Sequence, residues 1–187
     1  MGLIQSRVIK LAKEVYNYYM EQEAKSLTLL VIMRGAYQFA RDLEVQLQKM
    51  NDRYGKGSIR IIPHFVTAKS YVGTESKVEN LKIPELERKL IDSQHVLIVE
   101  DVFDSGGLMT RLMQELTKYE PCSLNSVVLL HKRNVKNLER APYPVKWFGF
   151  TIPNVFVVGY GMDYNEHFRS IRHIYWISQK GIEAFKE

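Results

Sequence analysis

Cysteine is nearly missing: Cys122 is the only one in 187 residues. No internal disulfide is possible, so the core alone must hold the fold. The longest uncharged apolar stretches, such as Ser26 to Met33 and His95 to Val99, fall well short of the roughly 20 residues needed to cross a bilayer as a helix. The N-terminus lacks the basic, then apolar, then small-residue order of a secretory signal. Internal repeats and low-complexity tracts are also missing. These absences exclude a disulfide scaffold, a helical membrane protein and a fibrous chain. A reducing, cytoplasmic setting is the simplest expectation.

What is present is ordinary globular composition, with 45% hydrophobic and 25% charged residues. A chain of this length buries roughly 70% of its unfolded surface, enough for one core, so a single domain over residues 1–187 is expected. Twenty-six Lys and Arg against twenty-one Asp and Glu leave a formal charge of +5. That balance favours anionic partners, phosphorylated metabolites and nucleic acid alike. The densest basic stretch, His131 to Trp147, carries Lys132, Arg133, Lys136, Arg140 and Lys146 against Glu139 and reads as solvated surface.

Ile4, Val8, Leu11, Val15 and Tyr18 recur at helical spacing, as do Ala36, Phe39, Ala40, Leu43 and Leu47, and later Leu108, Leu112, Met113 and Leu116. Between these stripes lie the apolar runs Leu27 to Met33, Ile59 to Val66, Val96 to Val99 and Ser126 to Leu130. Unbroken apolar strands alternating with amphipathic helices predict an α/β fold with a parallel sheet covered on both faces. Thr67 to Lys82 is too polar for a core element and long for a structureless connection, so a functional lid or a disordered segment is expected. From Trp147 to the end, short apolar runs predict small extra strands and a final helix near Gly181.

The most informative stretch runs from Val96 through Glu100, Asp101, Val102, Phe103, Asp104, Ser105 and Gly106 to Gly107. In open parallel sheets, ligands bind where strands end and helices begin. Glu100 and Asp101 are placed at that boundary, where carboxylates reach ligand hydroxyls or a hard cation such as Mg²⁺. Ser105, Gly106 and Gly107 then supply a hydroxyl, two glycines that admit a ligand to the backbone, and N–H groups at a helix start. Together these suit a phosphate dianion. The bland alternative is that Asp104 or Ser105 merely caps the helix. The Lys of a P-loop is lacking, which disfavours nucleoside triphosphate hydrolysis.

This stretch resembles the phosphoribosyl-pyrophosphate (PRPP) motif of type I phosphoribosyltransferases. Met33-Arg34-Gly35, Lys69-Ser70-Tyr71, His131-Lys132-Arg133 and the segment Phe156 to Arg169 extend the resemblance to the hypoxanthine-guanine phosphoribosyltransferase family, in register from about Gly2 onward. The resemblance implies the type I fold, a twisted parallel sheet flanked by helices with a small hood, a mobile loop at about 67–82 and hood and base-site elements from about 147–187. It implies purine salvage: hypoxanthine or guanine plus PRPP gives IMP or GMP plus pyrophosphate, with Mg²⁺.

Roles carry over residue by residue as expectations. Asp104 would manage the N7 proton of the purine, and Glu100 and Asp101 the ribose hydroxyls, directly or through the metal. Ser105, Gly106, Gly107 and Leu108 fall on the 5′-phosphate cradle. Arg34 and Gly35, after an expected cis peptide at Met33-Arg34, and Arg169 would hold pyrophosphate. Lys132 would donate to the 6-oxo group, Phe156 would stack on the base, and Val157 would meet its edge. Asp163 would join Glu100 and Asp101 as a metal-holding acid and help shape the purine site. Ser70 and Tyr71 would tip the loop that closes over the reaction. A homodimer or homotetramer is implied, with Arg34 near a subunit contact, and nucleic acid is not expected as a partner.

Family members usually have Thr where this chain has Leu108, and often Lys where it has Gly107. Losing a hydroxyl to a dianion costs on the order of 1.5 to 3 kcal/mol, so weaker PRPP binding is expected unless Leu108 serves the core instead. The chain also starts where the family has further N-terminal residues of the hood, so a looser base site is expected. Two other readings compete: a weakly catalytic or inactive PRPP or nucleotide-binding regulator, and a metal-dependent phosphatase using the acid cluster.

Overall fold

The computed structural model describes residues 2–54, 59–67, 88–133 and 144–186. Helix α1 (Leu3–Glu21) leads into strand β1 (Ser26–Met33), followed by α2 (Tyr37–Tyr54) and β2 (Arg60–Thr67). After residues that lie outside the described set come β3 (His95–Phe103), α3 (Gly107–Thr117), β4 (Ser123–Lys132) and β5 (Trp147–Ile152). Short strands β6 (Val157–Val158) and β7 (Tyr175–Trp176) and helix α4 (Gln179–Ala184) finish the chain.

The five long strands form one parallel sheet in the order β2-β1-β3-β4-β5, while β6 and β7 form a separate antiparallel pair. The period of two along a strand explains the unbroken apolar runs. Leu27, Leu29 and Val31 of β1, Leu97 and Val99 of β3, and Val127 and Leu129 of β4 join one core with α1 and α2. The alternate residues Leu30, Ile32, Val96, Ile98 and Val128 join a second core with Met109, Leu112, Met113 and Leu116 of α3. Both faces are covered, so the central strands are apolar on both sides. Each such Val, Leu or Ile contributes roughly 1.5 to 3 kcal/mol relative to exposure.

Two boundaries differ from the sequence expectation. Trp147–Ile152 is the fifth strand of the main sheet, paired through Val127↔Trp147 and Leu130↔Phe150, so the small appended elements begin after it. And β3 runs past the acid pair to Phe103, because its pairing with β4 continues through Glu100↔Val128 to Phe103↔His131. Its pairing with β1 stops at Val31↔Val99. Beyond Val99 the sheet is therefore open on one side of β3, where β1 turns away.

Candidate functional site

The opening beyond Val99 collects most of the candidate residues. Strand alternation turns Asp101 toward the α1–α2 face and Glu100 toward the α3 face. Asp101 lies directly against Gly35: a methyl group built on that glycine would fall onto the Asp101 carboxylate, 2.7 Å from its carbon. Gly35 follows Met33-Arg34, whose peptide bond is cis. The tight turn after β1 thus sits face to face with the acid at the end of β3, and only a residue without a side chain fits between.

Burial raises the proton affinity of both acids. Glu100 is 8% exposed. Desolvation, reinforced by the neighbouring Asp101 charge, carries its pKa to about 8. Asp101 is pushed up to about 6, chiefly by desolvation and also by Asp163, against the opposing pull of backbone hydrogen bonds and Arg169. These acids are held where an incoming cation or hydroxyl would favour their charged form.

Asp104 and Ser105 are exposed, and Gly106, at φ 75°, stands at the N-terminus of α3 in the left-handed conformation. The cap position of this helix is that glycine, and no side-chain cap bond closes it. Neither Asp104 nor Ser105 holds the cap position, and the backbone N–H groups of this helix start are of the kind that attract an anion. Leu108 packs against the second core beside Met109 and Leu112. An apolar side chain there serves the core.

Across the loop, Lys132 Nζ donates to Asp104 Oδ2 at 2.9 Å. The expectation of a solvated basic segment fails at this residue: the Lys132 side chain is 9% exposed, because β4 extends to it and carries it into the sheet edge. Phe156, by contrast, is 46% exposed and nearly perpendicular to the Tyr164 ring at 5.5 Å between ring centroids. Val157 begins β6, opposite Trp176.

The third wall is the segment Gly159 to Arg169. Gly159 and Met162 exchange backbone hydrogen bonds of 2.9 and 3.1 Å around Tyr160 and Gly161, at φ 54° and 101°, a two-residue hairpin turn of type I′. Gly161 abuts the carbonyl of Gly35 with no room for a side chain. Arg169 donates to the Gly161 carbonyl at 2.9 Å and pairs with Asp163 at 2.8 Å, and Asp163 accepts from the Glu166 amide at 2.8 Å. Arg34 pairs with Glu166 at 2.7 Å, which also takes Arg169 at 3.3 Å.

Sequence reading overlooked Asp42, Tyr160, Gly161 and Glu166 as parts of this assembly. The Gly-Tyr-Gly run signalled a turn; nothing local signalled Asp42 beyond a charge beside the apolar stripe of α2. Ser70 and Tyr71 lie outside the described residues, as does most of the expected loop. Among the described residues, no three His, Cys, Asp or Glu side chains converge as a metal cage. Glu100, Asp101 and Asp163 are oxygen donors of the kind Mg²⁺ takes, one or two carboxylates at a time with water and substrate phosphates completing its shell.

An open strand end with buried acids, a helix start at a left-handed glycine and a Lys–Asp pair at the lip lie together at the carboxyl edge of an α/β sheet. The phosphoribosyl transferase domain model matches residues 2–165. Rat hypoxanthine-guanine phosphoribosyltransferase is 34% identical over 99% of this chain and 82% of its own. Phosphoribosyltransferase domain-containing protein 1 of Xenopus tropicalis is 31% identical over 99% of this chain and 80% of its own. Among solved structures, Schistosoma mansoni hypoxanthine-guanine phosphoribosyltransferase in complex with IMP superposes with TM-score 0.79 at 29% identity, covering 98% and 81% of the two chains. A variant of the Trypanosoma cruzi hypoxanthine phosphoribosyltransferase complexed with IMP gives 0.81 at 29%, covering 98% and 89%. The chain belongs to the phosphoribosyltransferase family and has its type I fold.

Proposed function

We propose that this protein transfers the phosphoribosyl group of PRPP to hypoxanthine or guanine, releasing pyrophosphate and yielding IMP or GMP. The observation that carries the reading is the 2.9 Å Lys132–Asp104 pair at the mouth of the uncapped α3. A 6-oxopurine presents N7 and O6 side by side on one edge. A carboxylate and an ammonium in contact match that edge, the lysine donating to O6 and the aspartate taking the proton of N7. Adenine would set an amino donor against the lysine instead.

In this reading Phe156 stacks on the base and Val157 borders it. The amides of Ser105, Gly106 and Gly107 hold the 5′-phosphate, with Leu108 behind them in the core. Arg34, Gly35 and Arg169 hold pyrophosphate. The N9–C1′ bond forms as the bond from C1′ to the pyrophosphate oxygen breaks, and the N7 proton passes to Asp104. Positioning and electrostatic stabilisation carry such a step. Asp101, Glu100 and Asp163 are the residues that would hold Mg²⁺, which when bound neutralises charge on the leaving pyrophosphate. Ser70 and Tyr71 would cover the site and exclude water.

The same family resemblance supports a cytoplasmic homodimer or homotetramer. The exposed rings of Tyr37 and Phe65, 6.2 Å apart beside the Arg34 turn, offer an apolar patch for such a contact. A second reading, a PRPP or nucleotide-binding regulator with little turnover, is favoured by Gly107 and Leu108, which stand where the family often has Lys and usually has Thr. Incubation with PRPP, Mg²⁺ and each of hypoxanthine, guanine, xanthine and adenine separates the two. Nucleotide formed from the 6-oxopurines and lost in Asp104→Asn is expected. Nucleotide binding without turnover would favour the regulator.

A further inference from the structure

We propose that Tyr160 and Asp42 form a positioning pair that sets the pyrophosphate and metal side of the site from outside it. This rests on the phosphoribosyl-transfer reading and names a device within it that touches no substrate.

Asp42, in the second turn of α2, is only 8% exposed, yet its carboxylate is fully partnered. One oxygen accepts from the Tyr160 hydroxyl at 2.6 Å and from Gln5 of α1 at 2.7 Å; the other accepts from Gln38 at 3.3 Å and Arg41 at 3.2 Å. Tyr160 is itself 5% exposed and sits at the first central position of the type I′ turn. A bulky residue rarely adopts a positive φ, so this one needs support from outside its own backbone. Burial and the Asp42 carboxylate both raise the proton affinity of its hydroxyl, which therefore stays a donor.

The consequence is geometric. The next residue, Gly161, is pressed on the Gly35 carbonyl, and Gly35 in turn is pressed on the Asp101 carboxylate. Gly161 also receives Arg169, which holds Asp163. A contiguous line of contacts thus runs from Asp42 through Tyr160, Gly161 and Gly35 to Asp101. Moving the turn by a fraction of an ångström moves Asp163 and Arg169 relative to the Arg34–Gly35 turn. On the purine side, the Lys132–Asp104 pair lies off this line.

Tyr160→Phe keeps the ring and removes the donor. Gln5→Ala removes a different bond to the same Asp42 oxygen without touching the turn, and serves as the structural control. The assays are pyrophosphate affinity by calorimetry with Mg²⁺, the KM values of PRPP and hypoxanthine, and amide hydrogen exchange over residues 33–36 and 159–163. For Tyr160→Phe, about tenfold weaker pyrophosphate and PRPP binding is expected, as for supporting groups that orient ligands, with hypoxanthine KM within about twofold of wild type. Exchange should rise in those two segments and stay unchanged in Gln5→Ala. Equal effects of the two variants, or equal weakening of purine and pyrophosphate, would overturn the inference. Wild-type protein that forms no nucleotide yet shows this exchange and pyrophosphate pattern would defeat the transfer reading while leaving the positioning pair standing.

Discussion

Replacing Glu100 with glutamine should stabilise the protein, and the gain should depend on pH in a defined way. Glu100 is buried, and its carboxyl is carried from an ordinary value of 4.5 to about 8 by desolvation and by Asp101. Between those values the folded state holds a proton that the unfolded state releases, so stability falls as pH rises from about 4.5 to about 8 and then levels off. At 1.36 kcal/mol per pH unit the cost at pH 8 reaches up to about 5 kcal/mol. Glutamine keeps the shape and cannot ionise. For a chain of this size such a difference corresponds to a Tm shift on the order of 10 °C at pH 8, and to little at pH 4.5. The assay is thermal unfolding of both proteins, free of ligand and metal, from pH 4.5 to 8.5. Asp101, raised from 3.8 to about 6, contributes its own loss of stability over that lower window in both proteins and cancels in the comparison. Parallel curves, with a wild-type minus variant difference independent of pH, would refute the argument that burial holds Glu100 protonated.

Gly35→Ala should raise the KM of PRPP and lower stability by about 1 to 3 kcal/mol, the usual cost of overpacking, because the new methyl displaces the Asp101 carboxylate. Steady-state kinetics with a denaturant titration checks both, and unchanged PRPP kinetics would show that Asp101 is free to move. Lys132→Gln should weaken hypoxanthine use by at least about tenfold and narrow the margin over adenine, since glutamine can present either a donor or an acceptor. Competition assays with the two bases read that margin directly. Leu108→Thr should leave PRPP binding within about twofold of wild type, because the side chain at this position packs on the second core, and a gain of about tenfold would show that a hydroxyl there meets the phosphate. The substitution should also lower stability by about 1 kcal/mol, because threonine fills less of the apolar space beside Met109 and Leu112. Calorimetric titration with PRPP tests the first effect and thermal unfolding the second.

Much of the fold was legible locally. The apolar runs of β1, β3 and β4 and the stripes of α1, α2 and α3 each state their period within a dozen residues, and a parallel sheet buried on both faces is the arrangement those periods allow. The turn from Asp104 to Gly107 was likewise readable, because two adjacent glycines before an amphipathic stripe mark a helix start. Strand length was less so: pairing with β4 carries β3 beyond the acids and β5 into the main sheet, and pairing partners are remote in sequence. Burial of Lys132 and exposure of Phe156 run against residue type, and each follows from where a strand end meets its neighbours.

The sequence by itself determined the alternation of elements and the chemistry available at the strand end, since both depend on residues a few positions apart. Only the tertiary structure decided which of those groups touch. Glycines 35 and 161 stand 126 positions apart along the chain, and Asp42 and Tyr160 stand 118 apart. Their contacts arise because α2, the turn after β1 and the hairpin after β6 converge on one open edge of the sheet, a convergence that no local period encodes.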